Sequence, residues 1–574
     1  LRTEEVSTIG ATHIQVRPRA RASEKIASGI LVALLLLLVA YPLASLLYGS
    51  FNAISPDRTG TAFSTANFAK IFSDPQFWLA WRNTILVSLG SAAIALTCGI
   101  VAAILIVRTD LPARGVFETL LIVPIFVSPF IGAVAWSGLG APRVGLLNRM
   151  FAELGVPIEL NIYSLPGIAM VLGFYMTPYV FLFTSGPLAS IDAAMEEASR
   201  LSGQGASQTL MRVTLPLVTP SILAAGMLVF VLSMENFGVL AVLGLPSQIA
   251  FIPTEIYLKF TYPPPDYAYA TVVSVTLIIA TALALFAQQR LLARKSYVAI
   301  GGKSYRLVLM RLGKWRWPAA ALLGVFLLLS TVLPLSAMVL ASFQSYWTSQ
   351  FTAFTLANYE SVFSRGLLFS AAKNSFFLAF VGAFVACALA GAVAYIINRT
   401  RAPGRGLLDL LSSISVAVPG VVLGVALLWA WIRIPLPIYG TIWILLIAYV
   451  TRFLSFGVRN IAAALTQIGD DLENAARVSG ASKTMAALTV TFPLVRSSFA
   501  SSWVLYFISF IKELNTSVLL YSFNSVVLPV IIFDAYLEGR YPQVAALATG
   551  ISVLIFLVLM LSSIILGIKI RPKA

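Results

Sequence analysis

The chain has 574 residues, 59% of them hydrophobic and 11% charged, with a mean hydropathy of +0.89. A soluble protein of this length could not keep that much apolar surface from water, so the composition excludes a soluble all-helical protein and points to a chain that crosses a bilayer many times. The net charge of +16 is not a nucleic-acid signature, because the basic residues gather in short segments between apolar runs, as the positive-inside rule requires of cytoplasmic loops. Cys98, Cys387 and the lone His13 are too few and too scattered for a disulfide framework or a metal cage.

Taken in order, residues 1–25 form a basic tail expected on the cytoplasmic side. The first apolar run, about 26–49, is longer than a signal-peptide core and lacks a small-residue cleavage site, so it is expected to be a retained span. Residues 50–78 are expected outside, followed by a second span at 82–107. The third, 116–139, contains Pro124 and Pro129, which should kink it. An external loop at 140–163 leads to spans at 165–189, 218–243 and 267–289, with Pro263-Pro264-Pro265 in an external loop between the last two. Residues 290–316 read as a basic cytoplasmic linker. Its Gly301-Gly302-Lys303-Ser304 imitates the end of a phosphate-binding loop, but Tyr297 stands where the first glycine belongs and no strand precedes it.

Beyond the linker the pattern returns. Ala66-Asn67-Phe68 recurs as Ala357-Asn358-Tyr359, Asn83 as Asn374, and the turn from Arg108 to Gly115 as Arg399 to Gly406; Pro129 aligns with Pro419 after a one-residue gap. Spans are expected near 317–342, 373–397, 407–431, 441–463, 496–521 and 543–568. Each half then holds an even number of spans and both run the same way, so the repeats are parallel, with a pseudo-two-fold axis along the membrane normal. The expected architecture is an all-α integral membrane protein of about 12 transmembrane helices, with a tail (1–25), one repeat (26–289), the linker and a second repeat (317–574).

Two polar segments interrupt this apolar background. The first runs Glu196-Glu197-Ala198-Ser199-Arg200-Leu201-Ser202-Gly203 and on to Leu215-Pro216; the second runs Glu473-Asn474-Ala475-Ala476-Arg477-Val478-Ser479-Gly480 and on to Pro493. Each reads as a short helix ended by a glycine, with the proline opening the next apolar run. The pattern resembles the EAA loop of ABC importer permeases: the first copy matches at Glu197, Ala198, Gly203, Leu215 and Pro216, the second at Ala475, Ala476, Gly480 and Pro493, with Asn474 in place of the glutamate and Glu473 just before it. The resemblance covers nearly the whole chain and is nearest to fused, two-repeat permeases of ferric-iron importers of the type I architecture. It implies two copies of a separate ATPase subunit docking on the loops, through Glu197, Gly203, Glu473 and Gly480 in particular. It also implies a periplasmic or lipid-anchored binding protein, an inner-membrane location, and ATP with Mg bound by the partners rather than by this chain. The bland alternative is a pair of solvated connecting loops.

Charged residues within spans are the other candidates, because a charge in hydrocarbon is costly. Glu235, followed by Asn236, lies late in the fifth span, and Glu513, close to Asn515, is expected at the matching place of the second half. A pair of carboxylates suits a hard cation on the axis; equally, each could be satisfied locally, Glu513 for instance by Lys512. Tyr175, Tyr179, Tyr449 and Arg452 on the fourth spans are further path candidates, with aromatic packing as their alternative. The reading is a translocation subunit, not an enzyme, with ferric iron as the expected cargo and thiamine, a polyamine or a phosphonate as alternatives. An ion-coupled secondary transporter would need intramembrane acids but no paired docking loops.

Overall fold

The computed structural model describes residues 22–52, 63–293, 309–347, 354–364, 366–432, 434 and 436–566. Most of the basic tail, residues 294–308 of the linker and the phosphate-loop imitation lie outside the described residues. Among those described, all regular structure is helical, apart from three isolated β-bridges. Among the described residues ten helices are long and apolar enough to cross a membrane, and two bent helix pairs bring the number to twelve when each is counted as one span. Several spans extend past the apolar runs: the second covers Pro75–Arg108 and its counterpart Gly366–Arg399.

The bent pairs depart from expectation. Pro124 sits inside the helix Arg114–Phe126 without breaking it; the break comes at Val127-Ser128, and Pro129–Gly140 leaves at 103°. In the second half Arg405–Ala417 and Gly420–Trp431 meet at 117°. The element boundaries pair Ser128 with Pro419 as the two N-caps, so no gap is needed in the repeat. A proline at the first or capping position costs nothing where the N–H is orphaned anyway, whereas a mid-helix proline next to a wide turn is tolerated.

Wide turns also explain Pro216 and Pro493, which do not open helices. Helix is already under way at Ala206 and at Lys483, passes through a five-residue π turn (Leu210–Thr214, Ala487–Thr491), and continues through the proline. The same device precedes Pro42 and Pro334 in the two first spans. Shifting the ladder by one residue absorbs the missing donor.

Repeated residues make repeated bonds. The Asn67 amide donates to the Ser50 and Asn52 carbonyls, and Asn358 to those of Ser342 and Gln344. Asn83 donates to Ala250 O and Asn374 to Val526 O, while Thr84 and Ser375 accept from the Ile252 and Leu528 N–H groups. The two halves are laced together as well. The first span of the first half lies on the bent pair of the second, with Ser28 Oγ donating to Pro403 O (2.7 Å) and Tyr41 Oη to Ala430 O (2.9 Å). In return Gly313–Ser342 lies on the bent pair of the first half, and Trp347 Nε1 just beyond it donates to Gly138 O.

Candidate coupling loops and translocation path

The polar loops form helices Ala193–Leu201 and Asp470–Val478, each followed by a left-handed glycine, Gly203 (φ +83°) and Gly480 (φ +95°). Their glutamates divide by depth. Glu196 is buried, ion-paired with the buried Arg108 at the end of the second span, and accepts from Thr214 Oγ1 (2.8 Å). Glu473 is its counterpart rather than that of Glu197: buried too, it accepts from Thr491 Oγ1, again 18 residues on, and from Tyr395 Oη (2.9 Å). These carboxylates fasten the loops to their own half. Glu197, Ala198 and Ala475 are exposed, and Ala476 half-buried. Around them each loop exposes apolar side chains at matching positions to matching extents: Met195 and Leu472 at 52%, Leu201 and Val478 at 89%, Met211 at 63% and Leu488 at 61%. Pro216 and Pro493 are exposed at the roots of the loops, with Leu215 half-buried.

The fifth span does not run through to residue 243. It stops at Met234, and after Glu235 and Asn236 a short buried helix, Phe237–Gly244, begins; in the second half Phe492–Ile511 stops before Lys512, and a turn of helix resumes at Ser517–Leu520. Caps align the two breaks. Asn236 accepts from the Val239 N–H and Glu513 from the Thr516 N–H, three residues on in both cases, so Glu513 matches Asn236 and Lys512 matches Glu235. The expected symmetric glutamate pair is therefore offset by one residue, and the cluster is asymmetric.

Arg452 joins it. Its Nη1 bonds Glu513 Oε1 and donates to Thr516 Oγ1 (3.2 Å), and its Nη2 lies 3.9 Å from Glu235 Oε1 of the other half. Lys512 donates across the halves to the Ile125 carbonyl (2.6 Å), which the break in the third span leaves free. Tyr449 Oη bonds Ser517 Oγ (2.6 Å) behind Glu513, and Asn515 packs beside Gly420, where a Cβ would collide with Arg452 Nη1. Tyr175 is buried over Gly132, its ring filling the space a Cβ would need, and Tyr179 packs half-buried against the core; neither touches the charges. Lys512 and Arg108 were detectable in sequence only as residues beside better candidates. Four charges, two of each sign, thus gather where the halves meet, Glu513 buried and Glu235, Arg452 and Lys512 partly so.

At the face opposite the loops, a cavity of about 820 Å³ lies between the halves, lined from the first by Gln76, Tyr163 and Glu255 and from the second by Trp347, Tyr536 and Tyr541. Glu255, on the short helix Ile252–Thr261, is 5% exposed; burial pushes its carboxyl above the usual range, while a hydrogen bond from Gln76 and the nearby Lys259 pull it back.

The family described as "Binding-protein-dependent transport system inner membrane component" matches residues 95–296 and again 379–570. The ferric transport system permease protein FbpB of Actinobacillus pleuropneumoniae is 25% identical, over 98% of this chain and 82% of its own. The sn-glycerol-3-phosphate transport system permease protein UgpA of Yersinia pseudotuberculosis is 29% identical, over 31% of this chain and 62% of its own. Among solved structures, a bacterial ABC transporter that imports the acidic polysaccharide alginate covers 46% of this chain and 93% of its own, at 20% identity and a TM-score of 0.40.

Proposed function

The chain belongs to the family of inner membrane components of binding-protein-dependent transport systems, and from that premise we propose that it carries ferric iron inward, driven by two ATPase subunits docked on its loops. The observation that carries the coupling half of this reading is the pair of matching apolar faces around Glu197 and Ala198 and around Ala475 and Val478. Exposed apolar side chains repeated at two sites on one molecule suit two copies of one partner. Residues 26–289 and 317–574 serve as the two permease units that the partners rock against each other. ATP and Mg are held by the partners, and an external binding protein, periplasmic or lipid-anchored, delivers the cargo.

The iron half rests on the relative named for ferric transport, whose likeness spans nearly the whole chain, and on the carboxylates of Glu235 and Glu513 between the halves. Oxygen donors suit a hard trivalent cation. In the closed arrangement Arg452 occupies both carboxylates, and rocking of the halves would part Glu235 from Arg452 and free it for the cargo. The test is uptake of radiolabelled Fe3+ by proteoliposomes holding the chain, its ATPase subunits and the binding protein. ATP-dependent uptake, abolished in Glu197→Ala/Gly203→Pro, supports both halves. Uptake driven by an ion gradient without ATP removes the coupling half, and binding-protein-stimulated ATP hydrolysis without iron uptake removes the iron half.

A further inference from the structure

The cavity between the halves at the external face has a charge pattern that the whole molecule does not share. The chain carries 39 Lys and Arg residues against 23 Asp and Glu, yet among the described residues lining the cavity none is basic, and Glu255 is the one with a formal charge. Around it stand the phenols of Tyr163, Tyr262, Tyr536 and Tyr541. Phenol oxygens are hard donors, and aromatic faces attract cations. An anion would meet the carboxylate first, because the nearby cation, Lys259, lies over the Tyr269 ring and outside the lining.

Glu255 is also not a by-product of the repeat. The helices Ile252–Thr261 and Leu528–Leu537 begin with the same Pro at their second position, and on that register Ile531 stands opposite Glu255. The carboxylate exists in one half alone, buried by 95% of its surface, in a place where an aliphatic side chain satisfies the fold of the other half. Below the cavity, Tyr536 Oη donates to Val242 O, on the short helix that starts immediately after Glu235 and Asn236. At 1.5 Å per residue this helix leads from the cavity floor to Glu235 in about 10 Å.

We propose that this cavity is a reception site for a cationic solute, with Glu255 as its counter-charge and the surrounding phenols as its neutral donors. The proposal rests on the importer reading for its place in transport, but not for the binding itself. A volume of about 820 Å³ is that of a small-molecule site, not of a bare ion, so the cation enters with a hydration shell or as an organic ammonium compound. The same charge pattern disfavours an anionic cargo such as a phosphonate or a sugar phosphate.

The experiment titrates the full chain, in nanodiscs of neutral lipid and without ATPase subunits, with Tb3+. Tyrosine and tryptophan neighbours sensitise its luminescence. Saturable emission is expected, weakened at least tenfold in Glu255→Gln and unchanged in Asp471→Asn, an exposed acid on the loop of the opposite face. Spermidine should compete for the site and sn-glycerol 3-phosphate should not. Unchanged Tb3+ affinity in Glu255→Gln, or competition by the phosphate compound, overturns the proposal. If Glu255→Gln is not recovered as a monodisperse protein, Gln76→Glu adds a carboxylate to the same wall and must tighten Tb3+ at least threefold; unchanged or weaker binding overturns the proposal. ATP hydrolysis plays no part in the readout, so failure here is separable from failure of the importer reading.

Discussion

Adjacent glutamates in the first loop have opposite tasks. Glu196 shares a buried ion pair with Arg108, and removing one partner strands the other charge away from water. Glu196→Gln is therefore expected to cost about 3–5 kcal/mol, read as a lower melting temperature of the purified chain. Glu197→Ala should melt like the wild type and instead lose stimulation of ATP hydrolysis by the partners; equal melting losses in both variants would sink this division of labour. Between the halves the same logic ranks the contacts of Arg452. Double-mutant cycles should give Arg452 and Glu513, bonded directly, a coupling near the top of a range of about 0.5–3 kcal/mol, and Arg452 and Glu235, 3.9 Å apart, one near the bottom. The reverse order would mean that the inter-half contact, not the cap, holds Arg452.

Helices were the most legible level of the sequence. A run of apolar residues long enough for a bilayer has no other stable form in lipid, which is why ten straight spans, and the places of the two bent pairs, could be read from hydropathy alone. What escaped was set by hydrogen bonding rather than hydropathy. The prolines signalled disturbance, but whether Pro124, Ser128 or Pro129 marks the break depends on which carbonyls find partners, and Ile125 O finds Lys512 nearly 400 residues away in the chain. Register at the fifth span was misread for a similar reason: Glu235 and Glu513 look alike as letters, while Asn236 and Glu513 do the same job as caps. Glu473 and Glu197 look alike as docking contacts by residue type, although depth separates them. The glycines of the loops, in contrast, were readable because only a left-handed residue ends such a helix tightly. Gly420 is different, needed for space rather than for φ, and Gly420→Ala should cost about 1–3 kcal/mol of stability, measured by thermal melting, by pushing Arg452 off Glu513. If instead Gly420→Ala melts unchanged, the guanidinium has room to move and the closure between the halves is soft.

On the scale of the molecule the halves are not two bodies joined by a string. Each first span rests on the bent helix pair of the opposite half, so neither half buries its own bent pair fully. Residues 1–293 expressed alone are expected to be degraded in the membrane, and co-expression with residues 309–574 should restore a stable complex, checked by co-purification. Stable accumulation of the first half alone would contradict this interlocking.

The interlock also has a timetable. Tyr41 is made 389 residues before Ala430, the carbonyl its hydroxyl will hold. At bacterial elongation rates of about 5–20 residues per second, the first helix waits in the bilayer for roughly 20–80 s before its seat exists. Through that interval the nascent protein offers the membrane's quality-control proteases a helix seated only on Tyr267–Ala293 of its own half, and its survival depends on how quickly synthesis overtakes them. Slow codons in the second half would therefore lower the yield of transporter without altering a single residue.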